Sequence, residues 1–366
     1  MTDFSEMFDN QNQKKEPPGK KKKDKPDSSG IDFSSFIGKD GFSAPKSKPD
    51  PKPNSAGRIE FSEIKEGVGS QPDPADVKDT YNNAVALAQK IFSTDLEFSS
   101  KELKQVQSIV EELITYVNAE DQQVLEYVFS IQKDQKIDPT VLSFLNVCVL
   151  SLEIGVVLGY GRDELLKLGT VAFLHDIGMK EYRNLISLNR KLTDEEKAKL
   201  KHYPVSSAEI IKRIQYETGP DTSIADIIEQ VHERIDGSGY PKGLTKDEIC
   251  EPAQIIGLVD VYEALTHPRP YRDEYSPLEA IRIILEDKKS FSEKLAKIML
   301  ERIGIYPRGT FVKLNTEEIA RVIKQNPKIS MRPVVHVEYD QEGNKLETPR
   351  TIDLSQGTRI YITGSL

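Results

Sequence analysis

His175 and Asp176 are adjacent and are followed by Ile-Gly. An imidazole and a carboxylate side by side can each ligate a divalent transition metal, and the carboxylate can bridge two. His232, followed by Glu233, brings a second imidazole. Asp260 stands alone in the apolar stretch "IIGLVDVYEAL". A buried acid there is costly unless a cation or hydrogen-bond partner compensates it. Arg234, Arg269 and Arg272, with Tyr271 between the last two, add guanidinium forks that suit phosphate. Each residue alone has an ordinary account. A buried histidine is more often hydrogen-bonded than metal-bound, Asp260 can be a packing acid, and Arg269 and Arg272 can pair with Asp236 or Glu263. The conjunction of the histidines and aspartates is far more specific than its parts, and it is the donor set of a candidate metal site.

These residues need rigid elements behind them. "DELLKLGTVAFLHDIG" predicts a helix that carries His175-Asp176 at its end and stops at Gly178. "TDEEKAKLKHYPVSSAEIIKRI" starts with a Thr-Asp cap and an acidic first turn. "SIADIIEQVHERIDGSGYP" ends in turn residues, with Asp236, Gly237 and Gly239 as turn formers. "AQIIGLVDVYEALTH" is apolar-periodic, and "SPLEAIRIILE" has a cap and a proline at its first helical position. Upstream, "YNNAVALAQKIF" and "KELKQVQSIVEELITYV" carry apolar stripes at helical spacing, the second starting at Ser99-Ser100. "VLSFLNVCVLSLEIGVVLG" is long and apolar enough to suggest a membrane span. Glu153 near its middle would cost roughly 2.5–3.5 kcal/mol there on insertion scales, so a buried core helix is expected instead. After Tyr306 the period changes to short strands, with a hairpin turn at Asp340 to Asn344.

The expected fold class is mainly α. A disordered tail (1–57) precedes a helical region (58–136), a helical bundle (137–303) and a small β-module (304–366). The tail is rich in Lys, Pro, Ser and Gly. It repeats an acidic-Phe-Ser triplet at Asp3, Asp32 and Glu60, a chance recurrence or a set of short anchors for a partner. The net charge of −9 over 366 residues makes nucleic acid and anionic membranes poor partners. Two cysteines outside any CxxC pair fit a reducing compartment, and no apolar stretch at the N-terminus predicts a signal peptide, so a cytoplasmic location is expected.

"FLHDIG", then "HERIDGSGYPKGL", then "VDVYEALTHPRPYR" resembles the HD-GYP subgroup of the HD-domain phosphohydrolases over about residues 137–303. "LNVCVLSLEIG" is similar to that family's first core helix, and the closing "RPVVHVEYDQEGNKLETPRTIDL" to a tail many members carry. The resemblance implies a bacterial protein acting on cyclic di-GMP or a related nucleotide, with a cluster of two or three iron or manganese ions. It also implies that the loop at Gly239, Tyr240 and Pro241 docks onto a diguanylate cyclase domain; a homodimer is compatible with the sequence.

Position by position, the resemblance carries over in part. His175, Asp176, His232 and Asp260 match ligand positions, with Asp176 the catalytic carboxylate if the site is active. Three other ligand positions hold Ser143, Tyr203 and Val231, and Met179 stands where a lysine usually follows the motif. Valine has no lone pair to give, and serine and tyrosine are weak ligands unless deprotonated. The first ion keeps three of its four expected ligands. The second keeps only Asp176 and His232. His202 beside Tyr203 is a candidate replacement, although one residue along a helix turns a side chain by roughly 100°. The expectation is a degenerate domain that binds a nucleotide or partner with little turnover, against an active phosphodiesterase with a reduced metal centre.

Overall fold

The computed structural model describes residues 73–92, 97–118, 122–129, 137–186, 192–218, 223–267, 274–287, 289–326 and 329–365, with Leu188 and Arg190. The tail expected over 1–57, its triplets, and Arg269, Tyr271 and Arg272 lie outside these residues. The described chain is mainly helical and closes with an antiparallel sheet.

Helices α1 (Pro74–Phe92), α2 (Ser100–Val117) and α3 (Gln123–Phe129) precede the central helix α4 (Pro139–Leu158). The α2 start is where the paired serines predict it, with the Lys101 amide donating to Ser99 Oγ at 3.3 Å. Leu103, Val106, Val110, Leu113 and Val117 form its buried stripe. Helix α4 is capped by Asp138, which accepts from the Thr140 amide at 2.9 Å. It packs against α1, α5 (Arg162–Leu174), α10 (Glu251–Thr266) and α12 (Glu293–Ile303), and Leu145, Val147, Cys148, Val149, Leu150 and Leu152 are fully buried. Its length and composition would allow a membrane crossing, yet most of it is buried against protein. The Phe92 and Phe144 rings stack 3.7 Å apart, tying α1 to α4.

Glu153 is fully buried on α4 and accepts from Arg302 Nε of α12 at 2.5 Å. Burial pushes its carboxyl up to about 7, against the lowering effect of Arg302. The folded state therefore holds a proton that the unfolded state releases from 4.5 upward, so this group's contribution to stability is full below 4.5 and fades as pH rises through about 7. Glu153→Gln should flatten that part of the thermal-stability profile. An unchanged slope between those two values would contradict the assignment.

The helix carrying the His-Asp pair stops earlier than its sequence suggests. Helix α5 ends at Leu174 with His175 as its C-cap, and Ile177–Tyr182 is a 3-10 turn. Gly178 is not a helix stop. A Cβ there would lie 2.5 Å from the Ser207 amide and 2.6 Å from the Tyr203 carbonyl, so glycine is needed for close approach to the next helix. Helix α6 (Arg183–Ile186) is a single turn. Helix α7 (Asp194–Leu200) opens with the Thr193–Glu196 capping box, and α8 (Tyr203–Thr218) follows after a turn at Lys201-His202. Helix α9 (Ser223–Ile228) ends just before the His232 turn, and α11 (Pro277–Glu286) is capped by Ser276 with proline at its start.

The sheet has the order β4-β3-β2-β1-β5, from β1 (Phe311–Leu314), β2 (Ile319–Lys324), β3 (Val334–Tyr339), β4 (Lys345–Asp353) and β5 (Ile362–Ser365). The expected hairpin is present: the Asp340 amide donates to the Asn344 carbonyl at 2.9 Å. Val312, Leu314, Ala320, Val322, Val335 and Val337 alternate inward and form one fully buried face. Glu126 of α3 grips this unit, accepting from Arg308 Nε at 3.2 Å and from Arg321.

Candidate metal centre

Three elements meet at the His-Asp pair. The end of α5 supplies His175 and Asp176, the turn after α9 supplies His232, and α10 supplies Asp260. One ligand atom from each of His175, His232 and Asp260 lies within 4.8 Å of the others. Asp176 Oδ1 is 3.4 Å from His175 Nε2 and 3.2 Å from His232 Nε2. Asp260 is 3.8 Å from His175 Nε2 and 3.9 Å from His232 Nδ1. The four residues that sequence brings forward as ligands are thus one cluster. The histidines are buried, while the Asp176 and Asp260 side chains stay 13% and 19% exposed, so the cluster reaches solvent through its carboxylates.

The state of His175 decides whether the set fits a cation. Its Nδ1 donates to the Ala172 carbonyl at 2.8 Å, which fixes the tautomer and leaves the lone pair on Nε2. That Nε2 is fully buried with no hydrogen-bond partner, among two carboxylates. A buried lone pair in that setting takes either a proton or a metal ion. Burial lowers the His175 pKa, but Asp176, Asp260 and the Ala172 carbonyl outweigh it and raise it to about 9. Asp260 is raised by burial but lowered further by His175, His232 and Arg234, and ends well below the usual carboxylate range. Two nitrogens and two carboxylates fit one first-row divalent ion.

Tyr203 closes the rest of the space. Its hydroxyl lies 2.7 Å from His232 Nε2, and its ring meets the His232 ring edge-on at 5.1 Å. Burial, then the charge of Asp176, push the Tyr203 phenol well above its ordinary value, so it is a neutral hydroxyl. The replacement of a lost donor by His202 is corrected here. His202 is exposed in the turn, and the side chain turned inward is Tyr203, which is 6% exposed. Val231 is fully buried. Ser143 is committed elsewhere: its hydroxyl donates to Glu263 Oε2 at 2.7 Å, in a buried network with Asn146. Asn146 accepts from the Tyr81 hydroxyl at 3.0 Å, and His267 Nε2 lies 3.0 Å from the Val128 carbonyl of α3.

The Gly-rich loop folds back onto the cluster. Tyr240 stacks on the His232 ring at 5.3 Å and 5°. Arg234 places Nη1 on the Val231 and Glu233 carbonyls and lies 5.0 Å over Phe291, so its fork braces the loop. Glu233, which carries no role in the sequence reading, is the clamp. Its two oxygens accept from the Lys242 amide at 2.7 Å and the Leu244 amide at 2.9 Å. No spacing signals this, since those partners are ordinary backbone amides. Gly239 sits so close to the loop base that a Cβ would lie 2.3 Å from the Arg234 amide. Gly239→Ala should destabilise the fold by roughly 2–4 kcal/mol, since backbone rather than a yielding side chain must move. A denaturation midpoint equal to wild type would refute this.

An HD domain family model matches residues 87–294, and a model of a KOW domain associated with HD domains matches 311–366. A cyclic di-GMP phosphodiesterase of Pseudomonas aeruginosa is 29% identical over 219 residues, 59% of this chain and 52% of that protein. A cyclic di-GMP phosphodiesterase of Borreliella burgdorferi is 28% identical over 194 residues, 52% of this chain and 50% of that one. The chain thus spans about half the length of these curated relatives. An HDG"Y"P protein of Bdellovibrio bacteriovorus has a similar fold, with a TM-score of 0.51 and 17% identity over 65% of this chain and 75% of that one. The HD match covers more than half of the sequence, the His-Asp pair and the Gly-Tyr-Pro loop converge on one cluster, and the chain belongs to the HD-domain family.

Proposed function

We propose that this chain is a binding member of cyclic di-GMP signalling, holding one divalent ion and turning substrate over slowly or not at all. The observation that carries the reading is the Tyr203 hydroxyl 2.7 Å from His232 Nε2, at a nitrogen that a second ion would need. His175, Asp176 and Asp260, with His232 beside them, would hold the single ion. Bound there, an iron or manganese ion would supply Lewis-acid polarisation of a phosphoryl oxygen.

The chain's own residues account for the rest. Asp176 stands between both imidazoles, closer to them than Asp260, and is placed to share a cation or orient a water. Tyr203, a neutral phenol, donates a hydrogen bond without supplying negative charge. Val231 offers no donor atom. The clamp that a two-metal centre places on both the attacking and the leaving oxygen is therefore incomplete, and binding outlives chemistry. The relatives' names direct attention to cyclic di-GMP as the ligand.

The test combines metal analysis of the purified chain with calorimetric binding and chromatographic hydrolysis of cyclic di-GMP. One ion per chain and binding without measurable product are expected. Two or more tightly held ions, with hydrolysis abolished by Asp176→Ala, would replace this reading by that of an active phosphodiesterase.

A further inference from the structure

Glu153, in the long apolar helix α4, sits at a junction between the bundle and the sheet. Its Oε2 accepts from Arg302 Nε at 2.5 Å, while its Oε1 is buried with no donor at hydrogen-bond distance. Arg302 also donates through Nη2 to the Val117 carbonyl at the end of α2, at 2.8 Å. Gln122, just before α3, donates from Nε2 to the Arg302 carbonyl at 3.3 Å, and Gln325, just past β2, donates to the Ile303 carbonyl. Two consecutive residues at the end of α12 therefore tie α2, α4 and the start of α3 to the sheet.

The carboxyl is where this junction carries a penalty. The Glu153 side chain is 0% exposed and that of Arg302 is 23% exposed. Ionised, Glu153 places charge on an oxygen that no donor reaches. Neutral, the penalty shrinks to one unpaired polar atom. Burial raises its pKa to about 7, and the charge and hydrogen bond of Arg302, then Gln122, lower it by less. Helices α1, α2, α3, α5, α10 and α12 pack against α4, and among their described residues the charge that acts on Glu153 is that of Arg302. Desolvation thus outweighs the counter-charge. The ionised carboxyl is relieved by an opening that admits water, and the partly exposed Arg302 side is a way in.

We propose that Glu153 is a proton-operated latch for the β-module. Neutral, it holds the end of α12 and the attached sheet against α4. Ionised, it favours a form in which that end lifts and the carboxylate is hydrated. The sign follows from linkage. The closed form binds the proton up to about 7, and a hydrated carboxyl releases it from 4.5, so opening releases a proton between those values. The open population rises by up to about tenfold per pH unit across that window and is level above it.

The experiment is amide hydrogen exchange of the full chain, read by mass spectrometry across that window and corrected for the intrinsic rate at each pH. Protection in 303–325 should fall by at least about tenfold from the bottom of the window to the top and then level off, while α4 around Leu150 stays protected. Glu153→Gln should hold those amides at one protection throughout. Arg302→Gln removes a charge that lowers the carboxyl pKa, so it should carry the fall to higher pH. Should the variant at 153 not fold, Arg302→Gln decides alone. The latch is overturned if wild-type protection in 303–325 does not change with pH, if Glu153→Gln follows wild type, or if the fall does not move in Arg302→Gln. It is also overturned if α4 loses protection to the same extent, since the proton then leaves only on global unfolding.

Discussion

Replacing Tyr203 and Val231 together with histidine should raise the metal content of the purified chain from one ion to two. The two positions flank His232 in the structure: Tyr203 bonds its Nε2 at 2.7 Å, and Val231 is its chain neighbour, fully buried. The double change removes the phenol from that nitrogen and adds two imidazoles around Asp176, already 3.2 Å from His232. Tyr203 is the first residue of α8, so its position is held by the helix and an imidazole there starts from the same Cα. With a second ion, both oxygens of an in-line displacement can be stabilised. Cyclic di-GMP hydrolysis should then rise by at least about a hundredfold, a difference of roughly 2.7 kcal/mol in the barrier. The measurements are elemental analysis and product chromatography. Two ions with no gain in hydrolysis would show that the remaining loss lies outside the metal ligands. One ion in a well-folded double variant would refute the donor-deficit account.

His175→Ala should have the second large effect, and on two quantities at once. Metal content should fall to near zero, because the variant loses the one buried side-chain nitrogen among the described residues whose lone pair has no other partner. The metal-free protein should also lose roughly 3–5 kcal/mol of stability, the usual result of removing one member of a buried charge group and leaving the rest uncompensated. Asp176 and Asp260 would face each other with less positive charge between them. His175 also packs edge-on to Phe144 at 5.9 Å, so part of the loss is packing. Asp260→Asn separates the contributions. It keeps the volume and removes one charge, so it should lose the ion while costing less stability than His175→Ala. Chemical denaturation with and without a chelator reads both terms. A variant at position 175 that keeps its ion would sink the assignment of Nε2 as a ligand.

Local signals were legible where the chain decides structure within a few residues. The Ser99 and Ser276 caps, the Thr193 box and the Asp340–Asn344 hairpin stand where their residue types place them. The convergence of His175, Asp176, His232 and Asp260 was legible as an ordered set of motifs, though not as distances. What could not be read depends on contacts between distant segments. Gly178 looks like a helix stop and is instead a point of close approach to α8. Arg234 looks like a phosphate fork, and only the structure shows that its Nη1 holds carbonyls of its own loop. Tyr203 and His202 are neighbours in sequence, and only the turn before α8 decides which one faces His232. Glu153, an acid in an apolar helix just as Asp260 is, pairs with Arg302 and stays out of the cluster. The same residue type in the same kind of helix thus serves two ends, and the partner across the interface makes the difference.

The seven-residue α3 works as a rivet. Glu126 near its middle holds Arg308 and Arg321, and the Val128 carbonyl two residues on receives His267 from the end of α10. A chain cut before Tyr306 would strand that carboxylate without either guanidinium and loosen the corner that steadies His267. Shortened versions meant to isolate the helical part should therefore be judged first by amide exchange in 123–129. Where that corner frays, weakened ligand binding in the truncated chain reports a lost brace and says nothing about a binding role for the sheet.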